Sequence, residues 1–165
     1  MSNTVIATFD NVREANNAVM GLFKQNFTRD EISMLVSDTT QKEHLAIETN
    51  TKAPEGAATG AAVGGAIGAI VAGLTAVGTV VVPGVGLVVA GPLLAALAGL
   101  GAGGAAGGLV GGLIGTGLTE AEAKMVEDAV KKGNVVIAVT HDDKERINNA
   151  RAVFKATAAI DIAAA

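Results

Sequence analysis

Residues 99–115 read GLGAGGAAGGLVGGLIG, and this stretch determines how the rest of the chain is interpreted. Its glycines recur at every fourth position, in one row at Gly99, Gly103, Gly107, Gly111 and Gly115 and in a second row at Gly104, Gly108 and Gly112. Because residues four apart lie on one face of an α-helix, each row predicts a helix face without side chains. Another helix can approach such a face very closely.

A similar row precedes this stretch, at Gly56, Gly60, Gly64 and Gly68. Both rows belong to a segment, 56–119, that contains no Asp, Glu, Lys or Arg and holds 20 of the 22 glycines of the chain. Inside a helix each glycine costs about 1 kcal/mol relative to alanine. We therefore expect close helix–helix packing to offset that cost, and we call residues 56–118 the insert.

The insert is predicted to be a hydrophobic α-hairpin. Residues 79–91, TVVVPGVGLVVAG, separate two arms. Pro83 and Gly84 are typical of a turn, and the valines around them favour extended backbone. The arms, 57–77 and 93–118, would be about 31 Å and 39 Å long as helices. Both lengths suffice to cross a bilayer core of about 30 Å.

The two charged flanks are predicted to fold together. The first, 1–55, reads as a strand, a helix that begins after Asn11, and a second strand near 32–37. The second, 119–165, reads as a helix that begins after Thr119, a buried strand at 135–139, a helix capped by Asp142, and a closing strand at 158–162. Neither flank has enough apolar faces to close a core alone. The predicted fold class is therefore α+β, with the hairpin inserted into a split ferredoxin-like domain.

Composition excludes several classes of function. The formal net charge is −4 and the longest basic run is Lys131-Lys132, so no nucleic-acid partner is predicted. The chain has no cysteine, which excludes disulfides and thiolate metal sites. The first ten residues lack the basic and apolar regions of a signal peptide. We predict no cofactor and no metal.

No motif in the sequence predicts a catalytic residue. Residues 101–106, GAGGAA, fit the dinucleotide-binding pattern by letter, but that pattern requires a preceding strand and these residues lie inside the glycine row. His44 and His141 belong to different flanks. The acidic residues after His141 are more typical of a helix start than of a cation site. The sequence therefore predicts a protein that is not an enzyme.

Two environments for the insert and one further function remain open at this stage. Two arms of spanning length that return to one side favour a membrane, although the Trp and Tyr belts usual at membrane interfaces are missing. Alternatively, many copies bury their arms against one another in a soluble ring, filament or particle. A small-ligand sensor is a further alternative, which rests on fold analogy alone.

Several segments together resemble the bacterial general stress / low-temperature-induced protein family. They are VIATFD (5–10), GAAVGGAIG (60–68), VPGVG (82–86), AGPLL (90–94), GGLIGTGLTEAE (111–122) and the stretches 133–139 and 159–162. The resemblance implies a bacterial cell, stress-linked expression, a Gly-zipper middle segment and no established chemistry. We accordingly expect a cytoplasmic homo-oligomer at, or inserted in, the inner membrane, with itself and membrane lipid as partners.

Overall fold

The structure is a computed structural model that describes residues 3–36, 79–82, 86–89, 91, 108–115 and 117–164. Its elements, in chain order, are β1 (Asn3–Phe9), α1 (Val12–Lys24), a 3-10 turn (Arg29–Glu31), β2 (Ile32–Val36), β3 (Thr79–Val82), β4 (Gly86–Val89), α2 (Gly108–Gly115), α3 (Glu120–Lys131), β5 (Val135–His141), α4 (Lys144–Ala156) and β6 (Asp161–Ala164). The α+β class predicted from the sequence is confirmed.

The six strands form one antiparallel sheet in the order β3-β4-β2-β5-β1-β6. Strand β5 comes from the second flank and lies between the two strands of the first flank. It pairs with β1 through Val5 opposite Val139, and with β2 through Met34 opposite Ile137. Since β1 and β2 meet only through β5, the first flank needs the second to complete its part of the sheet.

The centre of the insert corrects the prediction of a hairpin that stands apart from the α/β domain. The extended backbone expected around the valines is present, but β3 and β4 pair with each other, and β4 continues the main sheet by pairing with β2. Leu35 lies opposite Val88 in that pairing. The valine-rich strands β3 and β4 thus extend the sheet at the edge of β2, whose backbone groups would otherwise lack partners there. Residues 57–77, which are the first predicted arm, lie outside the described residues.

One face of the sheet is covered by α1 and α4. The side chain of Asn11 accepts a hydrogen bond from the Glu14 amide (2.9 Å), which confirms the predicted start of α1. Helix α4 is capped by Asp143, whose Oδ1 accepts from the Glu145 amide, and not by Asp142 as predicted. The core of this face includes Phe9 and Phe154, which are fully buried and meet edge to face with ring centroids 6.0 Å apart.

The other face is covered by α2 and α3. Thr119 and Glu122 form the predicted capping box of α3. Leu109 and Leu113 of α2 are buried in the same cluster as the sheet residue Ile6, so the end of the second predicted arm lies against the sheet and does not project from it. Apolar side chains on this helix gain more by covering the sheet than by remaining exposed. The closing strand β6 begins at Asp161, three residues later than predicted.

Gly91 allows the chain to pass close to β2 after it leaves β4. Its φ is +100°, and a Cβ there would lie 2.3 Å from Ser33 Oγ and 2.5 Å from the Ile32 carbonyl oxygen. We expect Gly91→Ala to lower the free energy of unfolding by about 2–4 kcal/mol, because left-handed strain and a backbone clash act together. Urea denaturation of the purified protein measures this change.

Gly117 is the matched control for Gly91. Its φ is +98°, but no described residue lies within 4 Å of the position that a Cβ would take. Gly117→Ala therefore carries the backbone strain alone, about 1–2 kcal/mol. Equal losses for the two variants would show that the close approach of Gly91 to β2 contributes nothing to stability.

Candidate functional site

The outward face of α2 carries part of the predicted glycine row. No described residue lies within 4 Å of the position that a Cβ would occupy on Gly111 or on Gly115. Ile114 lies between them in the helix and is 43% exposed. We call these three residues the α2 open face. Among the described residues, none fills the space beside this face, so a close contact is possible there.

The two predicted glycine rows differ in their surroundings. Gly112, from the second row, is buried on α2, whereas Gly111 and Gly115, from the first row, have open space beside them. Gly108 is the first residue of α2. The other predicted packing residues, Gly56, Gly60, Gly64, Gly68, Gly99, Gly103, Gly104 and Gly107, and the predicted turn residues Pro83 and Gly84, lie outside the described residues.

None of the helices in the described part of the chain is both long enough and apolar enough to cross a bilayer. Within the same residues, no group of three or more His, Asp, Glu or Cys side chains is placed to hold a metal ion.

A charged cluster joins the two flanks where β5 ends and β2 begins. Glu31 Oε1 lies 3.2 Å from His141 Nε2 and 3.4 Å from an Arg146 guanidinium nitrogen. The same guanidinium nitrogen donates to the Asn26 carbonyl oxygen (3.0 Å), and the guanidinium lies 4.5 Å from the centroid of the Phe27 ring. Glu31 and its neighbours come from the first flank, and His141 and Arg146 come from the second.

The hydrogen bonds of this cluster occupy the atoms that an acid–base reaction would need. His141 Nδ1 accepts from the Asp143 amide (2.8 Å), while Nε2 faces Glu31. Glu31 Oε2 also accepts from the hydroxyl (2.9 Å) and the amide of Thr28. Both imidazole nitrogens and the carboxylate already have protein partners. The geometry therefore fits a structural contact between the two flanks better than a catalytic acid–base pair.

The environment of Glu31 changes its pKa in opposing ways. Burial would raise the pKa of the carboxyl group, but hydrogen bonds from Thr28 and the nearby charges of Arg146 and His141 outweigh it and lower the pKa below 4.5. A carboxyl group whose pKa is lowered by folding stabilises the protein above its unfolded-state pKa. That contribution disappears as pH falls through the pKa of the folded state.

We expect Glu31→Gln to lower the free energy of unfolding at pH 7 by about 1–3 kcal/mol, because charge-assisted hydrogen bonds are lost. The difference in the free energy of unfolding between wild type and the variant should disappear as the pH falls below 4.5. Urea denaturation at a series of pH values measures both effects. Asp30→Asn, at the exposed neighbouring position, is the control and should change little. A constant difference between wild type and Glu31→Gln at all pH values would contradict the assignment.

This cluster was not predicted from the sequence because its members are far apart in the chain. The neighbours of His141 in the sequence are Asp142 and Asp143, and no local pattern connects it to Glu31. The pairing of Ile32 with Val139 brings Glu31 beside His141, and that register is a property of the folded sheet. The one local signal was a polar residue at the end of each of two buried strands.

The fold and the site together define an α+β protein whose sheet is covered by helices on both faces. Comparison of the chain with protein-family models, with curated proteins and with solved structures found no match. The resemblance described above therefore rests on the quoted segments alone.

Proposed function

We propose that this chain is a non-enzymatic structural protein that assembles with copies of itself through its glycine-rich insert. The observation that carries the proposal is the α2 open face, where no described residue lies within 4 Å of the Cβ positions of Gly111 and Gly115, and Ile114 between them is exposed. A second helix placed there would contact the backbone directly, as in other helix pairs that pack through small residues.

The energetics of α2 support an intermolecular role. Four of its eight residues are glycine. Each costs about 1 kcal/mol relative to alanine in a helix interior. Gly112 is buried, so its lack of a side chain serves packing within the chain, but no described residue lies close enough to Gly111 or Gly115 to require it there. A partner helix from another copy would give these two glycines the packing that offsets their cost.

The order of the flank strands, β2-β5-β1-β6, supports a split ferredoxin-like arrangement for the domain that displays this face. Two helices, α1 and α4, cover the same side of those four strands, as that arrangement requires. A function in the bacterial stress response is part of the proposal and rests on the resemblance of the quoted segments to the general stress family.

Membrane association is the second form of the proposal. The apolar, uncharged composition of 56–119 favours it. The pairing of β4 with β2 weighs against a simple two-crossing hairpin, because the middle of the insert then lies in the same sheet as both flanks. Assembly in water is therefore the form that the described residues support better.

Detergent-free purification tests the two forms. We expect a carbonate wash to release the protein from the membranes. The released protein should then sediment as a large particle that contains no lipid. Flotation of the purified protein with liposomes of bacterial lipids would favour the membrane form. A monomer in detergent-free buffer that does not bind liposomes would contradict both.

A further inference from the structure

Strand β6 is a sheet edge in the part of the chain that the structure describes. It pairs with β1 on one side, through Thr8 opposite Asp161 and Ile6 opposite Ala163, and it is the last strand of the described sheet. A strand edge carries backbone donors and acceptors that pair readily with another strand. Ile160, directly before the strand, is 49% exposed. This edge therefore has both the backbone groups and an apolar residue for a contact.

A groove of about 450 Å³ lies between β6 and α3. Apolar residues, including Met125, Ala129 and Ile160, line part of it. Three charged residues that line it, Asp128, Lys132 and Asp161, form no ion pair with another described residue. A surface that carries both signs of charge and an exposed apolar residue can complement a rotated copy of itself. We call this surface the β6 edge.

We propose that the β6 edge is a two-fold interface at which β6 of one copy pairs antiparallel with β6 of a second copy. In a pairing centred on Ile162, Asp161 lies opposite Ala163 of the other copy, so the two aspartates do not face each other. Both copies then place α3 on the same side of a continuous sheet. Lys132 of each copy approaches Asp161 of the other across the axis.

The charge pattern is the reason for choosing a second copy as the occupant. A partner of one sign would leave either Lys132 or Asp161 opposite a like charge, which is destabilising. A second copy related by a two-fold axis brings Lys132 of each chain to Asp161 of the other, so both charges are paired. The β6 edge is distinct from the α2 open face. Two independent self-interfaces would join copies into an extended assembly and not only into pairs.

Cysteine cross-linking tests the pairing directly, because the chain has no cysteine of its own. Residues directly opposite in an antiparallel pair have Cβ atoms about 4.5–5.5 Å apart, close to the separation that a disulfide needs. We expect full-length Ile162→Cys to form a covalent dimer on mild oxidation. The control, Ala152→Cys on the exposed side of α4, should form none above background. No dimer from Ile162→Cys beyond that background would overturn the proposal.

Charge reversal tests the proposed contact between copies. We expect Asp161→Lys and Lys132→Asp each to reduce the yield of the Ile162→Cys cross-link several-fold. The double variant that exchanges the two charges should restore it. Failure of the exchange to restore the yield would contradict the contact between Lys132 and Asp161 of two copies. Circular dichroism of each variant checks that the fold is retained.

The β6 edge and the proposed function can fail separately. In the Gly111→Leu, Gly115→Leu variant the α2 open face is filled, and we expect the Ile162→Cys cross-link to persist at the size of two chains. If that variant keeps the full assembly size, the glycine-row proposal fails while the β6 edge stands. If the Ile162→Cys cross-link is also missing from assemblies whose α2 open face is unchanged, the β6 edge fails while the glycine-row proposal stands.

Discussion

Replacing Phe154 by alanine is expected to lower the free energy of unfolding by about 3–5 kcal/mol. Phe154 on α4 is fully buried against Phe9 on β1, so it joins the second flank to the first. Removing the ring leaves a cavity that the stiff strands around it cannot close. The loss is a large part of the total stability of a domain this size, which is typically about 5–15 kcal/mol. Chemical denaturation followed by circular dichroism measures it.

Met20→Ala is the matched control for this truncation. Met20 lies on α1, in the helix layer that also contains α4, but it is 46% exposed. Its removal should change stability by no more than about 0.5 kcal/mol. A loss below about 1 kcal/mol for Phe154→Ala would mean that the flanks do not share one core.

The second large effect is expected from Gly111→Leu combined with Gly115→Leu. No described residue lies within 4 Å of a Cβ at either position, so a side chain there meets no clash among the described residues. Leucine also favours a helix interior by about 0.8 kcal/mol over glycine, which applies to Gly111 but not to Gly115, the last residue of α2. The fold should therefore be at least as stable as wild type. The assembly, however, should fall to the mass of one or two chains, because the bulky side chains block close approach of another helix.

Sedimentation velocity without detergent measures this change in mass. Ala152→Leu, which adds a leucine to the exposed side of α4, is the control for added apolar surface and should leave the mass unchanged. A variant that is stable and yet keeps its full mass would show that the α2 open face is not a contact between copies. The same comparison at Gly103 and Gly107, also changed to leucine, extends the test along the predicted row.

Local signals in the sequence predicted the helices of the flanks well. Asn11 with Glu14 and Thr119 with Glu122 indicated two helix starts, and Gly133, with φ +90°, indicated a helix end. These features depend on residues within one turn of each other, so the sequence contains them directly. The start of α4 was wrong by one residue because Asp142 and Asp143 are equally good caps and only the folded backbone distinguishes them.

Features that depend on strand pairing were not predictable in the same way. The valines of β3 and β4 indicated extended backbone. They did not indicate that β4 joins the sheet at the edge of β2. The contact of Glu31 with His141 also follows from sheet register. For α2, the period of the glycines was visible in the sequence. Which row faces outward depends on the burial of Leu109 and Leu113 against the sheet.

The place of the insert in the sheet is the central claim, and a pair of engineered cysteines tests it most directly. Leu35 lies opposite Val88 in the pairing of β2 with β4, whereas Val80 lies one strand further away on β3. We predict that full-length protein with cysteines at 35 and 88 forms an intramolecular disulfide on mild oxidation, and that cysteines at 35 and 80 do not, because two strand spacings are about 9–10 Å. An absence of the 35–88 disulfide in folded protein would contradict the claim and return the insert to a separate hairpin.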